Sequence, residues 1–169
     1  MLIDATIHKA NALVIDSNAN SRSLITSQLR ELGLGFVRAV TRVKDARIVL
    51  ENAPYDLVIC DYHFEGHEES GQDLLDELRR ENLLPYSTVF MMITGEATYA
   101  TVAEAAEAAL DGYLIKPYTL NALAERIQAL CDEALFLQAH ALTLPHGPLE
   151  GWTGTACLIA ASRLAAHTG

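Results

Sequence analysis

Short apolar runs alternate with amphipathic stretches along residues 11–131. Several runs are apolar at every position, which is typical of strands that are buried on both faces of a parallel sheet. The runs predict strands over residues 12–15, 35–40, 57–60, 88–93 and 113–115. The stretches between them place apolar residues three or four positions apart, and this spacing predicts helices.

Residues at the helix ends define the predicted helices further. The first helix should end near Leu32, because Gly33 is a common residue type just beyond a helix. Thr41 can cap the second helix. The other helices are predicted after Gly71, over about 97–110 and from Leu120. Five strands that alternate with five helices predict a doubly wound α/β fold with a five-stranded parallel sheet.

Four predicted strands end on side chains that can carry chemistry, namely Asp16, Asp61, Thr94 and Lys116. Ligands of doubly wound sheets bind beyond the carboxyl ends of the strands, where the strand order reverses. A carboxylate beside a hard cation can attack a phosphoryl group, and Mg²⁺ binds one or two carboxylates together with water and phosphate. A lysine and a hydroxyl can stabilise the added negative charge.

Each of these residues also has a purely structural interpretation. Asp16 could cap the first helix, Asp61 could form a turn, and Lys116 could be a solvated charge before a turn. The agreement of four strand ends favours a phosphoryl-transfer site over four separate coincidences.

Four sequence motifs carry a resemblance to a known family. They are Leu13-Val14-Ile15-Asp16, Asp56-Leu57-Val58-Ile59-Cys60-Asp61, Met92-Ile93-Thr94-Gly95 and Tyr113-Leu114-Ile115-Lys116-Pro117. In this order and spacing, residues 11–131 resemble the receiver domain of bacterial two-component response regulators. Residues 82–96 (NLLPYSTVFMMITGE) further resemble a subgroup whose receiver precedes helical repeats of the tetratricopeptide type.

The resemblance implies that Asp61 accepts a phosphoryl group from a sensor histidine kinase. It also implies that Mg²⁺ is held by Asp61, Asp16 and the backbone carbonyl of His63. Thr94 and Lys116 would then contact the phosphate. The expected product is an aspartyl phosphate.

The same resemblance implies a signalling role. Tyr113 would change rotamer on activation, and the bond between Lys116 and Pro117 is expected to be cis. We therefore expect a signalling module, not an enzyme, that relays its state to a partner protein or to an attached helical output domain.

Two departures from the family pattern concern the metal site. Ser17 follows Asp16 where the family normally has a second acidic residue, the usual direct metal ligand. A serine hydroxyl is neutral and is a weaker Mg²⁺ ligand, so metal affinity should fall. Ser17 could instead cap the first helix. In addition, the loop over residues 62–71 lacks the family's Met-Pro pair and is two residues longer than the common pattern.

The serine suggests an alternative function. The chain could be a pseudo-receiver that docks partners without useful phosphorylation. A third class, an enzyme or flavin carrier on the same architecture, is also open because fold does not determine function. The polar segment 17–21 weighs against it, because it lacks glycine and lies beside two carboxylates that would repel an anion.

Two further clusters have structural interpretations. His63 and His67, with three glutamates nearby, suggest zinc, but Gly66 between them argues against a rigid helical pair and favours a solvated acidic loop. Cys60 is expected to be a small buried hydrophobe.

Charge and composition limit the partners and the compartment. The net charge is −10, with 22 acidic residues against 12 basic ones, so we expect no nucleic-acid binding. No run reaches 18 apolar residues, and the first residues do not form a signal peptide. Three scattered cysteines suggest a reducing compartment. We expect a bacterial cytoplasmic protein that does not contact a membrane.

The last predicted helix is longer than the sheet. Its apolar residues recur three and four positions apart from Leu120 to Ala141. We expect Leu130 and Leu137 to project beyond the sheet, to be covered by a second chain in a homodimer or by the segment around Trp152 folded back. The predicted organisation is an N-terminal extension (1–10), a receiver domain (11–131) and a C-terminal helical extension (132–169) that could begin an output domain.

Overall fold

A computed structural model describes residues 10–85, 88–95 and 112–130 of the chain. Five parallel strands form one sheet, namely β1 (Asn11–Ile15), β2 (Phe36–Val40), β3 (Leu57–Asp61), β4 (Val89–Thr94) and β5 (Gly112–Ile115). The described helices are α1 (Ala19–Glu31), α2 (Val43–Asn52), α3 (Gly71–Arg80) and α4, which covers residues 120–130. All five predicted strands are confirmed, and their ends differ from the prediction by one residue at most.

The strand order is β2-β1-β3-β4-β5, which confirms the doubly wound arrangement. The chain runs outward from β1 to β2 and then crosses back to β3, so the order reverses between β1 and β3. In the register of the sheet, Ile15 lies opposite Cys60, and Asp61 lies opposite Ile93. The carboxyl ends of these strands are therefore level, and the residues that follow them meet in one crevice.

Apolar side chains are buried on both faces of the sheet, as the continuous apolar runs predict. Ala12 and Val14 of β1 belong to a cluster that includes residues of α1 and α4. Leu13 and Ile15 belong to a second cluster that includes residues of α2 and α3. All six residues of β4 are buried. The sheet is thus a rigid central layer that fixes the positions of its strand ends.

The ends of α1 and α2 test the predicted helix boundaries. Gly33 lies just beyond α1 with φ 98°, a left-handed conformation that favours glycine and confirms the prediction. The prediction that Thr41 caps α2 is wrong, because Arg42 occupies the N-cap position and makes no side-chain capping bond. Instead, the guanidinium of Arg42 pairs with the carboxylate of Asp45 at 2.8 Å across the first turn.

Leu130 corrects the prediction for the last helix. It is 5 % exposed and belongs to the core cluster beneath α1 and α4. A Cβ atom added to Gly112 would lie 2.8 Å from the Cδ atoms of Leu130, so β5 and α4 meet closely here. The expectation that Leu130 projects beyond the sheet is wrong, because α4 still packs on the sheet at this residue.

Several predictions concern parts of the chain outside the described residues. These are the alanine-rich helix at 97–110, residues 1–9 of the N-terminal extension, and residues 132–169 with Leu137, Ala141 and Trp152. Within the described ranges, no helix is both long enough and apolar enough to cross a membrane.

Candidate functional site

The ammonium of Lys116 lies between the two carboxylates that the sequence places at the strand ends. Its Nζ is 3.3 Å from Oδ2 of Asp16 and 3.4 Å from Oδ2 of Asp61. The side chain of Asp16 is 1 % exposed, that of Asp61 is 14 % exposed and that of Lys116 is 25 % exposed. The predicted juxtaposition of two carboxylates and an ammonium is therefore present in the structure.

Asp16 is held by three hydrogen-bond donors. Its Oδ1 accepts from the backbone N–H of Asn18 at 2.8 Å. Its Oδ2 accepts from the hydroxyl of Ser21 at 2.6 Å as well as from Lys116. A carboxylate has about four acceptor positions, so this buried charge is compensated and still has room for one more ligand. The hydrogen bond from Ser21 to Asp16 was not predicted from the sequence, although Ser21 lies in the polar segment after the first predicted strand.

Asn18, not Ser17 or Asp16, is the N-cap of α1. The side-chain oxygen of Asn18 accepts from the backbone N–H of Ser21 at 3.0 Å. The interpretations of Asp16 and Ser17 as the helix cap are therefore wrong, because α1 begins at Ala19 and the residue immediately before it provides the capping oxygen.

The hydroxyl of Ser17 contacts the loop that follows β3. Its Oγ accepts from the backbone N–H of Glu65 at 3.1 Å. The guanidinium of Arg22 also fixes this segment, because it donates to the carbonyl of Asp16 at 2.9 Å and to that of Ser17 at 3.4 Å. The backbone after β1 is thus held by contacts on both of its sides.

Burial and the two neighbouring charged groups shift the pKa of Asp61 in different directions. Burial raises the pKa of Asp61 above its ordinary value, and the negative charge of Asp16 raises it further. The ammonium of Lys116 lowers this pKa, but the net direction is upward. Burial likewise raises the pKa of the neighbouring Cys60 thiol well above its ordinary value, which agrees with its prediction as a buried hydrophobe.

Thr94 and Tyr113 lie on the two strands next to this centre. Thr94 ends β4 and is 3 % exposed, and its carbonyl accepts from the backbone N–H of Lys116 at 2.7 Å. Tyr113 lies on β5, partly buried, with the guanidinium of Arg126 at 6.0 Å from its ring centre. The bond between Lys116 and Pro117 is cis, as expected. All the strand-end residues predicted from sequence thus lie at one edge of the sheet.

A model of the response regulator receiver domain family matches residues 12–128. The chain belongs to this family. The receiver is 30 % identical over 120 residues to the chemotaxis protein CheY-3 of Vibrio cholerae, which covers 71 % of this chain and 90 % of that protein. It is also 30 % identical over 120 residues to the chemotaxis protein CheY of Pseudomonas aeruginosa, with 71 % and 94 % covered.

Solved structures show the same architecture. A CheY-like receiver domain from Methylobacillus flagellatus has a TM-score of 0.62 at 25 % identity and covers 72 % of this chain and 98 % of that one. The response regulator TrrA of Thermotoga maritima, solved in complex with Mg(2+)-BeF, has a TM-score of 0.61 at 25 % identity, with 72 % and 98 % covered. Phosphorylation, magnesium binding and interaction with sensor histidine kinases are general features of this family. The narrower tetratricopeptide subgroup stays a prediction.

The residues of this receiver fit a magnesium ion in number and type. Asp16 and Asp61 face one crevice, and Mg²⁺ takes one or two carboxylates with water in its other positions. Across the described ranges, no three His, Cys, Asp or Glu side chains lie close enough together to hold a metal without such water ligands. The histidines at 63 and 67 are both exposed, which agrees with a solvated loop in preference to a zinc site.

Proposed function

We propose that this receiver domain accepts a phosphoryl group on Asp61 from a sensor histidine kinase in a Mg²⁺-dependent reaction, and that it relays the signal to a partner or an attached helical domain. The position of Lys116 between Asp16 and Asp61 carries the proposal. An ammonium that already faces the acceptor carboxylate can stabilise the charge that a phosphoryl group adds.

The chemistry assigns one role to each residue. One carboxylate oxygen of Asp61 forms a bond to phosphorus while the bond between phosphorus and the donor breaks, and the donor keeps the electron pair. Lys116 then contacts the phosphoryl oxygens together with Thr94, and Asp16 holds Lys116 in place. Bound Mg²⁺ would lower the charge on the transferring group, with Asp16, Asp61 and the carbonyl of His63 as its proposed protein ligands. Tyr113 is the proposed switch residue.

Incubation with acetyl phosphate and Mg²⁺ tests this proposal. We expect the intact mass to increase by one phosphoryl group in the wild-type chain and in Asp76→Asn, which removes an exposed carboxylate of α3. Asp61→Asn should show no adduct. An unmodified wild-type chain, under conditions that label another receiver, would contradict the proposal.

One observation favours the pseudo-receiver as a second candidate. Ser17 is neutral, and its hydroxyl already accepts a hydrogen bond from Glu65. A titration with beryllofluoride and Mg²⁺ separates the two functions, because beryllofluoride mimics an aspartyl phosphate. A receiver that can be phosphorylated should bind beryllofluoride at Asp61, whereas a pseudo-receiver should not bind it at millimolar Mg²⁺.

The remaining expectations from the sequence stay predictions. They are a homodimer through the last helix, a C-terminal helical output domain, a cytoplasmic location and a role without enzymatic turnover, nucleic-acid binding or membrane contact. Because Leu130 is a core residue, its side chain is not available to a homodimer interface.

A further inference from the structure

Ser17 and Glu65 lie 48 positions apart in the sequence but are joined by one hydrogen bond. We propose that Glu65 supplies, from the loop after β3, the metal-binding carboxylate that Ser17 lacks. The inference rests on the proposed function, because it assigns a further ligand to the same magnesium site. It also gives the longer loop a role in place of the missing acidic residue.

The contact places Glu65 beside the position at which the family has its second acidic residue. Ser17 directly follows Asp16, and the backbone nitrogen of Glu65 is 3.1 Å from the hydroxyl oxygen of Ser17. A glutamate side chain has three rotatable bonds, which let its carboxylate fold back over the residue that its own backbone contacts. Glu65 is exposed, so no packing opposes such a change of rotamer.

The backbone around Glu65 is anchored within the loop. Phe64 is 3 % exposed and belongs to the core cluster that includes residues of α2 and α3. His67 donates from its backbone to the carbonyl of Phe64 at 3.1 Å, around Gly66 with φ 76°. Only the side chain of Glu65 would therefore be ordered on metal binding, which keeps the entropic cost small.

Electrostatics make the movement depend on the metal. Lys116 supplies one positive charge to the two carboxylates of Asp16 and Asp61. Without a further cation, a third carboxylate beside them would therefore be repelled. A divalent cation reverses the balance, because it prefers anionic oxygen ligands.

Calorimetric titration of the full chain with MgCl₂ tests the inference. We expect Glu65→Gln to weaken Mg²⁺ binding about tenfold, because one anionic ligand becomes neutral. Glu69→Gln is the matched control, since Glu69 is exposed in the same loop and lies beyond the turn at Gly66. It should change the affinity less than twofold. Ser17→Asp in the Glu65→Gln background should restore the affinity.

Two outcomes would overturn the inference. If Glu65→Gln behaves like Glu69→Gln while Asp61→Asn abolishes binding, then the magnesium site exists without Glu65. If the wild-type chain binds no Mg²⁺ at millimolar concentration, then Glu65 does not compensate for Ser17. The mass measurement of the Asp61 adduct separates this inference from the proposed function. An adduct on Asp61, with unchanged Mg²⁺ affinity in Glu65→Gln, overturns the inference alone, whereas a wild-type chain that binds no Mg²⁺ and forms no adduct overturns both.

Discussion

The hydroxyl of Ser21 donates a 2.6 Å hydrogen bond to Oδ2 of Asp16, a carboxylate that is 1 % exposed. Few side chains could do this from the first turn of α1, because the donor must be short and must point back toward the end of β1. The bond compensates part of the cost of burying the charge of Asp16 next to Asp61.

Ser21→Ala should destabilise the receiver. It removes a donor to a buried charged group, and such bonds contribute about 1.5–3 kcal/mol. Urea unfolding at neutral pH measures the change in the free energy of unfolding. Ser23→Ala is the control, because Ser23 is exposed on the same helix and should change that free energy by less than about 0.5 kcal/mol. Equal effects of the two substitutions would contradict this account of Asp16.

Asp61→Asn should stabilise the fold at neutral pH. The pKa of Asp61 is raised in the folded state, so the folded chain binds more protons than the unfolded chain between the ordinary pKa of 3.8 and the raised one. The wild-type chain therefore loses stability as pH rises through that window. The melting-temperature advantage of Asp61→Asn should be largest at neutral pH and should shrink as pH falls toward 3.8.

The opposite pH trend would show that the charged form of Asp61 is favoured in the folded state. In that case Lys116 would outweigh burial and the repulsion from Asp16. Asp76→Asn removes an exposed carboxylate of α3 and is the control, because we expect it to change the melting temperature little at any pH.

Lys116→Met should destabilise the receiver at neutral pH and raise the pKa of Asp61 further, because both carboxylates lose the same ammonium. Loss of one partner from a buried ion pair costs about 3–5 kcal/mol, and the 25 % exposure of Lys116 should reduce that cost. Thermal unfolding over a pH series measures the loss of stability, which should diminish at low pH as the carboxyl group of Asp61 becomes protonated. Lys44→Met, an exposed control on α2, should have little effect. Equal losses at pH 3 and pH 7 would point to packing rather than charge.

Gly71→Ala should displace the start of α3 from the end of β3. An added Cβ would lie 2.4 Å from the backbone carbonyl oxygen of Asp61, which cannot move aside as a flexible side chain can. Overpacking of this kind costs about 1–3 kcal/mol. Gly95→Ala is the control, since no atom of the described residues lies within 4 Å of its added Cβ. Denaturant unfolding of both variants checks the prediction, and similar stabilities would contradict it.

The strands and the central charges of the site could be predicted from local sequence. Runs such as Leu57 to Cys60 leave no polar face, so they indicate a sheet covered on both sides, and a parallel sheet brings Asp16 and Asp61 to one edge. Lys116 follows from the same rule. These features depend on periodicity and topology, which short stretches of sequence encode.

Other features depend on tertiary contacts that short stretches do not encode. The hydrogen bond from Glu65 to Ser17 depends on how the loop after β3 folds around the buried Phe64. Helical spacing alone does not show where the sheet stops covering the last helix, so the burial of Leu130 in the core cannot be predicted from it. The cap of α1 was missed for a different reason, because three polar residues in a row could each have supplied the oxygen.

The position of the phosphoryl group tests the role of Asp61 directly. The receiver is treated with acetyl phosphate and Mg²⁺, reduced with borohydride, which converts an aspartyl phosphate to homoserine, and mapped by peptide mass spectrometry. We expect homoserine at position 61 alone. Homoserine at Asp16 or at another aspartate, with Asp61 unchanged, would contradict it.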